Sequence, residues 1–249
     1  MALMKLSAVV LAKNAQGTLA HCLKSLSFCS EVIVVDDNST DNTVVIAKKL
    51  GAKVFYRDLD DDFSAQRNFG LKKVRNEWVL FIDADERVSK DLKKEISKAL
   101  SDVNFNGYFL RRYEVWLGKK LKYGEWGEVE LLRLAKSGAG KWKRKVHETW
   151  EIDGRTGVLN NYLEHRVDAS VGERLGKINF YCRLHAVELA KEGKSVGFWR
   201  VLLMPAAKFG MNYFVKRGYR DGGHGFVMAA VMSLHSFLAW SDIWLLGKK

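Results

Sequence analysis

The sequence predicts an α/β fold with a mostly parallel sheet, followed by a helical C-terminal extension. Two observations predict the sheet. Short apolar runs alternate with helix-like stretches in the first part of the chain, and polar residues follow several of these runs directly. Such alternation is typical of parallel strands joined by helices. The extension is predicted because apolar residues recur at helical spacing from about residue 170 onward, as in RLGKINFYCRLHAVELAKEG.

The predicted strands and helices of the first part follow one another in order. The strands are 6–12, 32–35, 53–56 and 78–82, and the helices between them are 18–28, 43–50 and 65–74. The first run also fits a short signal peptide, but no small-residue cleavage site precedes Lys13, so we predict a buried strand there.

Shorter pieces between about residues 105 and 165 predict extra strands beside the same sheet. The chain has one proline and no internal repeat or low-complexity linker, so no flexible joint is marked. We predict two domains, an α/β domain over residues 1–168 and a helical, basic extension over residues 169–249.

The net charge of +12 is concentrated in the second part of the chain. Residues 1–110 hold 16 basic and 15 acidic residues, whereas residues 111–249 hold 25 and 14, together with seven of the eight tryptophans. This distribution indicates either an anionic partner or a solvated basic face. The three cysteines form no CxxC pair, which argues against a disulfide or zinc framework and fits a reducing cytosol.

Polar residues stand where the predicted parallel strands end, which is where such sheets carry their functional groups. Asn14 follows the first strand, Asp36 and Asp37 follow the second, and Asp83 and Asp85 follow the fourth. An aspartate after a buried strand can accept a hydrogen bond from a base N–H or from a ribose hydroxyl, so we predict that Asn14, Asp36 and Asp37 lie at a nucleotide.

The DAD segment at 83–85 has two interpretations. In an extended segment Asp83 and Asp85 leave on the same face, and two converging carboxylates favour Mg²⁺ or Mn²⁺ together with substrate phosphates. Alternatively, Asp85 caps the helix that follows. The position at the end of a strand favours the metal.

Four ordered motifs resemble those of glycosyltransferase family 2. They are AVVLAKNAQGTLAHCLKSL, VIVVDDNSTDNT, FSAQRNFGL and WVLFIDADE, and the resemblance covers about residues 5–165. It implies a GT-A fold, the Rossmann-like fold of nucleotide-diphospho-sugar transferases. The first strand departs from the family, since Ala12-Lys13-Asn14 stands where a proline-containing stretch is usual.

The resemblance also implies roles for individual residues. Asp37 would contact a uracil-type base and Arg67 would lie at the nucleotide. Asp83 would face the ribose or the diphosphate, and Asp85 would hold the metal.

A narrower resemblance, to lipopolysaccharide-core glucosyltransferases of the WaaE/KdtX type, rests on RRYEVWLGKKLKYGEWGEVELLRL, KVHETWEIDG, NNYLEH and VKRGYRDGGHGF. In those enzymes the base is an acid shortly before an Arg-Leu pair. Glu125, Glu128 and Glu130 compete for that role here, and we favour Glu128, with Glu130 second. Arg133 and His147 would approach the diphosphate or the metal, although His147 also fits an ordinary position on a strand surface.

The two resemblances imply an inverting transferase that moves a hexose, glucose, from a UDP-sugar to a hydroxyl of a lipopolysaccharide-core, glycolipid or other saccharide acceptor. A metal-dependent sugar nucleotidyltransferase is one alternative, but the chain has neither a G-x-G-x-x-G nor a Walker A motif. A non-catalytic binder of membranes or nucleic acid is another. No nucleic-acid-binding motif is recognisable, and we expect no nucleic-acid partner.

The tail predicts contact with an anionic membrane surface. The segment 226–245 is 20 residues long but includes His235, Ser236 and Asp242, which disfavour a spanning helix. Tryptophans with nearby Arg217 and Arg220 favour an interfacial helix; an ordinary core helix is the alternative. We expect a cytoplasmic protein, peripheral on the cytoplasmic face of the inner or plasma membrane.

Overall fold

The computed structural model describes residues 3–145, 148–191 and 196–247. Its first part has the predicted order of strands and helices, with ends within a few residues of the expected ones, because each apolar run is buried in a sheet. The elements are β1 (Met4–Ala12), α1 (Leu19–Ser25), β2 (Cys29–Asp36), α2 (Thr43–Lys49), β3 (Lys53–Tyr56), α3 (Phe63–Leu71), β4 (Trp78–Asp83), β5 (Glu86–Val88) and α4 (Lys90–Ala99).

The predicted extra strands and the helical C-terminal part are also present. The remaining strands are β6 (Gly107–Trp116), β7 (Lys119–Lys120), β8 (Glu128–Lys136), β9 (Gly140–Lys143), β10 (Thr149–Ile152) and β11 (Thr156–Val167). The helices are α5 (Val171–Lys191), α6 (Phe198–Gly210) and α7 (Gly223–Leu246). A π-helical turn, Met211–Val215, and a 3₁₀ turn, Gly218–Asp221, lie between α6 and α7.

The main sheet has the strand order β3-β2-β1-β4-β8-β6-β11-β5, and β7 pairs with the end of β6. β1 pairs in parallel with both β2 and β4, and β2 pairs in parallel with β3. β8 joins β4 in the antiparallel sense, with Leu80 opposite Leu134. The predicted α/β fold with a mostly parallel sheet at its start is therefore confirmed, and antiparallel strands extend it on the β4 side.

Both faces of the parallel strands are buried, which is why those strands are continuous apolar runs. One face packs against α1 and α4 through residues such as Leu80 and Ile96. The other face, with Phe81 at its centre, is covered by the β9–β10 hairpin. Trp142 and Trp150 pair across that hairpin and stack with ring centroids 5.2 Å apart, and each lies nearly perpendicular to the ring of Phe81.

The chain divides into two compact units. The first comprises Met1–Arg112 and Glu130–Arg166, and the second comprises Tyr113–Val129 and Val167–Lys249. The second unit thus includes a segment from the middle of the chain as well as the helices. The predicted domain bounds, 1–168 and 169–249, stay a prediction.

Two buried polar side chains organise the second unit. Asp221 accepts hydrogen bonds from the backbone N–H groups of Lys122 and Tyr123, at 3.0 and 2.9 Å. Asn212 accepts one from the N–H of Glu125 at 2.8 Å. The turn that carries Asp221 packs so closely on α7 that a Cβ at Gly225 would lie 1.8 Å from the carbonyl oxygen of Gly218. The RGYRDGGHG segment therefore holds the middle segment of the chain by its backbone.

Candidate active site

The parallel strands bring the predicted polar residues to one edge of the sheet. Asp36 pairs with Ala12 at the ends of β2 and β1, and Asp83 at the end of β4 pairs with the neighbouring Leu11. Three strand ends therefore meet within one residue of register, and the loops that follow them rise from the same edge. All of these residues belong to the first unit.

Asp37 lies just beyond β2 and is nearly buried. One carboxylate oxygen accepts from Lys13 Nζ at 2.7 Å, and the other accepts from the backbone N–H of Leu59 at 3.0 Å. Because Lys13 is largely exposed, its ammonium can leave Asp37 when a ligand offers a better donor. The carboxylate is therefore fixed in position by the backbone and open to exchange on its other side.

Asp36 and Asn14 build the loops around Asp37. Asp36 is completely buried, and its carboxylate accepts from the N–H and the hydroxyl of Ser39, at 2.9 and 2.6 Å. Asn14 accepts from the N–H of Thr40 at 2.8 Å, and its own N–H donates to the Ser39 hydroxyl. These contacts tie the loop after β1 to the turn after β2, so both side chains shape this edge. Their predicted contact with the nucleotide stays a prediction.

The strongest feature of this edge is a pair of buried arginines that converge on Asp83. Arg67 Nη2 donates to one oxygen of Asp83 at 3.0 Å, and Arg133 Nη2 donates to the other at 2.8 Å. Arg67 also donates from Nε to Glu148 at 2.8 Å. Its guanidinium lies over the ring of Trp142, 4.7 Å from the centroid. A single, partly exposed carboxylate is thus held between two buried guanidinium groups.

The arginines control the ionisation of Asp83. Burial by itself would raise the pKa of that carboxyl, but Arg133 and then Arg67 outweigh it and hold the pKa well below its usual range. For Arg67, burial opposes the charge, while Asp83 and Glu148 raise its pKa above the ordinary value. Asp83 is therefore a carboxylate, and Arg67 a cation, throughout the ordinary pH range.

The extended geometry expected for Asp83 and Asp85 is wrong. β4 ends at Asp83, and residues 84–85 form a turn that is fixed by buried Glu86, which accepts from the Asp83 N–H at 2.9 Å and from Arg112 at 3.1 Å. The expectation that Asp85 caps the following helix is also wrong, because Ser89 caps α4 by accepting from the Leu92 N–H. The turn is what gives the two aspartates different partners.

Asp85 is oriented towards His165, whose Nε2 lies 3.3 Å from its Oδ2. The antiparallel pairing of β11 with β5, which sets His165 opposite Glu86, produces this contact. Two ligands at right angles on an octahedral ion with bonds of about 2.1 Å stand about 3 Å apart, so this pair has a spacing that suits one cation. Among the described residues no three His, Cys, Asp or Glu side chains form such a group. His147 lies outside them.

The candidate bases differ in their surroundings. Glu130 is half-exposed and lies 3.3 Å from Arg111. Glu125, in the second unit, is bound to Lys208 at 2.7 Å; burial would raise its pKa, but Lys208 and Asn212 outweigh this effect and lower it. Glu128 is exposed at the start of β8, also in the second unit.

The resemblance implies that Asp37 contacts a uracil-type base, so replacing Asp37 by alanine should weaken UDP binding about 10- to 100-fold, the loss expected when a hydrogen bond to a charged group is removed. The chain should stay folded, because Asp37 lies beyond β2 rather than in the apolar core. Isothermal titration with UDP measures the affinity, and circular dichroism checks the fold. The same change at exposed Asp91 is the control. Unchanged affinity in folded Asp37→Ala would remove Asp37 from the nucleotide site.

Sequence comparison assigns the family. The family model described as glycosyl transferase family 2 matches residues 7–150. An uncharacterised glycosyltransferase of Rickettsia conorii is 30% identical, over 94% of this chain and 88% of its own length. The lipopolysaccharide core biosynthesis glycosyltransferase LpsC of Rhizobium meliloti is 28% identical, over 96% of this chain and 92% of its own length.

Solved structures share the fold at low sequence identity. S. aureus TarS superposes with a TM-score of 0.50 at 15% identity, covering 91% of this chain and 55% of TarS, so this chain spans about half of that protein. The TarS 1-349 structure in complex with UDP-GlcNAc superposes with a TM-score of 0.50 at 14% identity, covering 98% of this chain and 91% of that one. These likenesses agree with a GT-A fold.

The family match covers more than half of the chain, including the end of each parallel strand that carries a predicted site residue. The relatives match it over nearly its whole length, and one of them acts in lipopolysaccharide core biosynthesis. The chain is a glycosyltransferase with a GT-A fold and a helical C-terminal part, and it belongs to glycosyltransferase family 2.

Proposed function

We propose that this glycosyltransferase moves a hexose, glucose, from a UDP-sugar to a hydroxyl of a lipopolysaccharide-core or other cell-envelope glycolipid acceptor, with inversion at the anomeric carbon. One observation carries the proposal. Arg67 and Arg133 converge at the carboxyl edge of the sheet, and the Nη1 atom of each is buried without a hydrogen-bond partner among the described residues. Buried guanidinium donors in this state suit a bidentate anion such as a diphosphate.

The donor would lie along the edge from Asp37 to the arginine pair. Asp37 would accept from the N–H of the uracil base in place of Lys13. The Nη1 atoms of Arg67 and Arg133 would donate to the diphosphate, while Asp83 keeps both guanidinium groups in position. Because a carboxylate at one end and two cations at the other suit a nucleoside diphosphate, this edge supports a UDP-sugar donor.

Mg²⁺ or Mn²⁺ fits the residues next to this place. Asp85 and His165 would hold the ion through one carboxylate oxygen and one imidazole nitrogen, and Mg²⁺ commonly combines one or two carboxylates with substrate phosphates and water. When bound, the ion would stabilise the negative charge of the departing diphosphate. Metal ligation by Asp83 would compete with its two arginines, so we assign Asp83 mainly to holding them. His147 stays a further candidate ligand.

The reaction needs one base from the chain. A glutamate removes the proton from the acceptor hydroxyl while that oxygen forms a bond to the anomeric carbon, and the bond from that carbon to the UDP oxygen breaks. UDP leaves on the opposite side, so an α-linked donor gives a β-linked product. We keep Glu128 for this role on the resemblance to the lipopolysaccharide-core enzymes, with Glu130 as the second candidate.

Glu128→Gln should lower kcat about 10²- to 10⁴-fold and leave the affinity for UDP unchanged, because it removes the proton acceptor and preserves the shape. Glu130→Gln and Glu125→Gln are matched controls and should change kcat much less. Steady-state kinetics with titration of UDP separate the two effects. If one of the controls is the inactive variant, the base is that residue and not Glu128.

The acceptor and the location are inferred from LpsC, which acts in lipopolysaccharide core biosynthesis. Such acceptors are lipid-linked, so the protein would work as a peripheral protein on the cytoplasmic face of the inner membrane, where UDP-sugars are available. A soluble saccharide that carries the same hydroxyl would also be a substrate.

A panel of UDP- and GDP-sugars, offered with Mn²⁺ and a lipopolysaccharide-core acceptor, tests the proposal. We expect release of UDP from UDP-glucose and a β-linked product by NMR. Release of pyrophosphate from UTP and a sugar phosphate would instead identify a nucleotidyltransferase. Binding without turnover of any donor would support a non-catalytic binder.

A further inference from the structure

Helix α6 and the π-helical turn after it expose a continuous apolar stripe. Exposed residues recur every three or four positions through 199, 202–203, 206–207, 211 and 214–215, so they follow one side of the helix. Leu202, Leu203, Phe214 and Val215 are 60–69% exposed. The α6 stripe, as we call it, consists of Trp199, Leu202, Leu203, Met211, Phe214 and Val215.

The other side of α6 is already packed within the second unit. Val201 is buried, and the hydroxyl of Ser233 on α7 donates to the carbonyl oxygen of Pro205 at 2.8 Å. Phe209 meets Phe226 of α7 edge to face, with ring centroids 5.6 Å apart. The α6 stripe is thus the face that remains after the helix has been fixed in its unit, and exposed apolar residues that share one face favour a binding surface.

The charge along the same segment has one sign. Residues 198–220 contain five basic residues and no acidic one, namely Arg200, Lys208, Lys216, Arg217 and Arg220. Lys216 and Arg217 are exposed and directly follow Phe214 and Val215. Arg200, next to Trp199, lies over the rings of Trp199 and Trp240 at 5.3 and 5.2 Å. Exposed apolar residues and cations therefore occur together along the segment from α6 to the 3₁₀ turn.

We propose that the α6 stripe docks on an anionic lipid surface, with Phe214 and Val215 among the acyl chains and Lys216 and Arg217 at the headgroups. An amphipathic helix in the plane of the interface combines apolar burial with attraction to anionic lipid. The inference extends the proposed function, on which it rests for the lipid-linked acceptor. It narrows the membrane contact to α6, within the C-terminal tail that the sequence predicts to lie on a membrane surface.

Charge favours lipid over a second copy of the chain as the occupant. A symmetric dimer through the α6 stripe would be isologous, so exposed Lys216 and Arg217 of each copy would face a surface with the same excess of positive charge. A bilayer rich in phosphatidylglycerol offers both an apolar interior and a dense layer of anions. Tryptophan and basic residues beside exposed aliphatic ones are also typical of the membrane interface.

Sedimentation of the full chain with vesicles tests the inference. The vesicles contain either phosphatidylcholine alone or phosphatidylcholine with phosphatidylglycerol. Wild type should bind the anionic vesicles more tightly and should be partly released by high salt. The variant F214S/V215S should bind vesicles at least about 100-fold more weakly than wild type, because two apolar side chains no longer enter the bilayer. The variant K216Q/R217Q should bind about 30-fold more weakly to the anionic vesicles. Its binding to phosphatidylcholine vesicles should equal that of wild type.

Two variants outside the α6 stripe are matched controls. Val103→Ser removes an apolar side chain that is 86% exposed in the first unit, and K48Q/K49Q removes two exposed cations from the end of α2. Both should bind vesicles like wild type. UDP release from UDP-glucose with a soluble acceptor should be the same in all of these variants, so a failure of the proposed function would be seen separately from a failure of docking.

Three outcomes would overturn the inference. Vesicle binding that is unchanged in F214S/V215S would exclude the α6 stripe. A dimer in solution that this variant abolishes would assign the stripe to a second copy of the chain. Resistance to both high salt and alkaline carbonate would mean that α7 spans the bilayer, since it is 24 residues long and, by length and composition alone, apolar enough to do so.

Discussion

Asp85→Ala should lower sugar transfer about 10³-fold or more, and EDTA should have the same effect on wild type. The physical reason is that the departing diphosphate carries a charge that a divalent ion stabilises by several kcal/mol. Asp85 is the carboxylate of the turn after β4 whose side chain faces His165 at a spacing that suits one ion. Titration with Mn²⁺, followed by electron paramagnetic resonance, should show weaker binding in Asp85→Ala independently of turnover.

Asp91→Ala is the matched control for this experiment. Asp91 is an exposed aspartate in the first turn of α4 that pairs only weakly with Lys94, so its loss should change neither Mn²⁺ binding nor turnover. His165→Ala should resemble Asp85→Ala in Mn²⁺ binding. Full turnover in EDTA would contradict the metal assignment as a whole, whereas loss of activity with normal Mn²⁺ binding would contradict only the assignment of Asp85.

Arg67→Met should destabilise the protein by about 3–5 kcal/mol, because removing one partner of a buried ion pair leaves Glu148 uncompensated and Asp83 with Arg133 alone. Arg67 is almost fully buried between Asp83 and Glu148 and lies over Trp142. Urea unfolding, monitored by tryptophan fluorescence, measures the loss. The double variant R67M/E148Q should be more stable than Arg67→Met, since it also removes the Glu148 carboxylate that loses its guanidinium partner, whereas Asp83 keeps Arg133.

The pH dependence of stability gives a second measurement of the same network. The pKa of Asp83 is lower in the folded chain than in the unfolded chain, so its ion pairs stabilise the fold fully above about pH 4. This stabilisation should be lost as the pH falls towards the depressed pKa. In Arg67→Met the pKa of Asp83 in the folded chain rises towards its value in the unfolded chain. The variant should therefore lose less stability than wild type when the pH is lowered. Equal stability of Arg67→Met and wild type would mean that the arginine pair is not a structural element.

The sequence predicted the parallel part of the fold because local pattern determines it. Apolar runs such as WVLFI are buried on both faces, and the register of β1 with β2 and β4 then brings Asp36 and Asp83 together without further information. Long-range pairing was not predictable in the same way. Nothing near Asp85 in the sequence indicates His165, which reaches it only because β11 pairs with β5.

Three features of the site escaped sequence analysis for physical reasons. The turn at 84–85 depends on buried Glu86, whose partner Arg112 is distant in the chain. The contact of Lys13 with Asp37 requires the ends of β1 and β2 to be neighbours. Arg133 was assigned to the diphosphate by resemblance alone, but its contact with Asp83 follows from the antiparallel pairing of β8 with β4. Each of these contacts joins residues whose spacing in sequence carries no signal.

A crystal structure of the full chain with UDP and Mn²⁺ tests the central claim most directly. We predict the uracil at Asp37, with Lys13 displaced from the carboxylate. We predict the diphosphate at the Nη1 atoms of Arg67 and Arg133, and the ion at Asp85. UDP bound elsewhere in the chain, or bound at this edge with its diphosphate turned away from both arginines, would contradict the account.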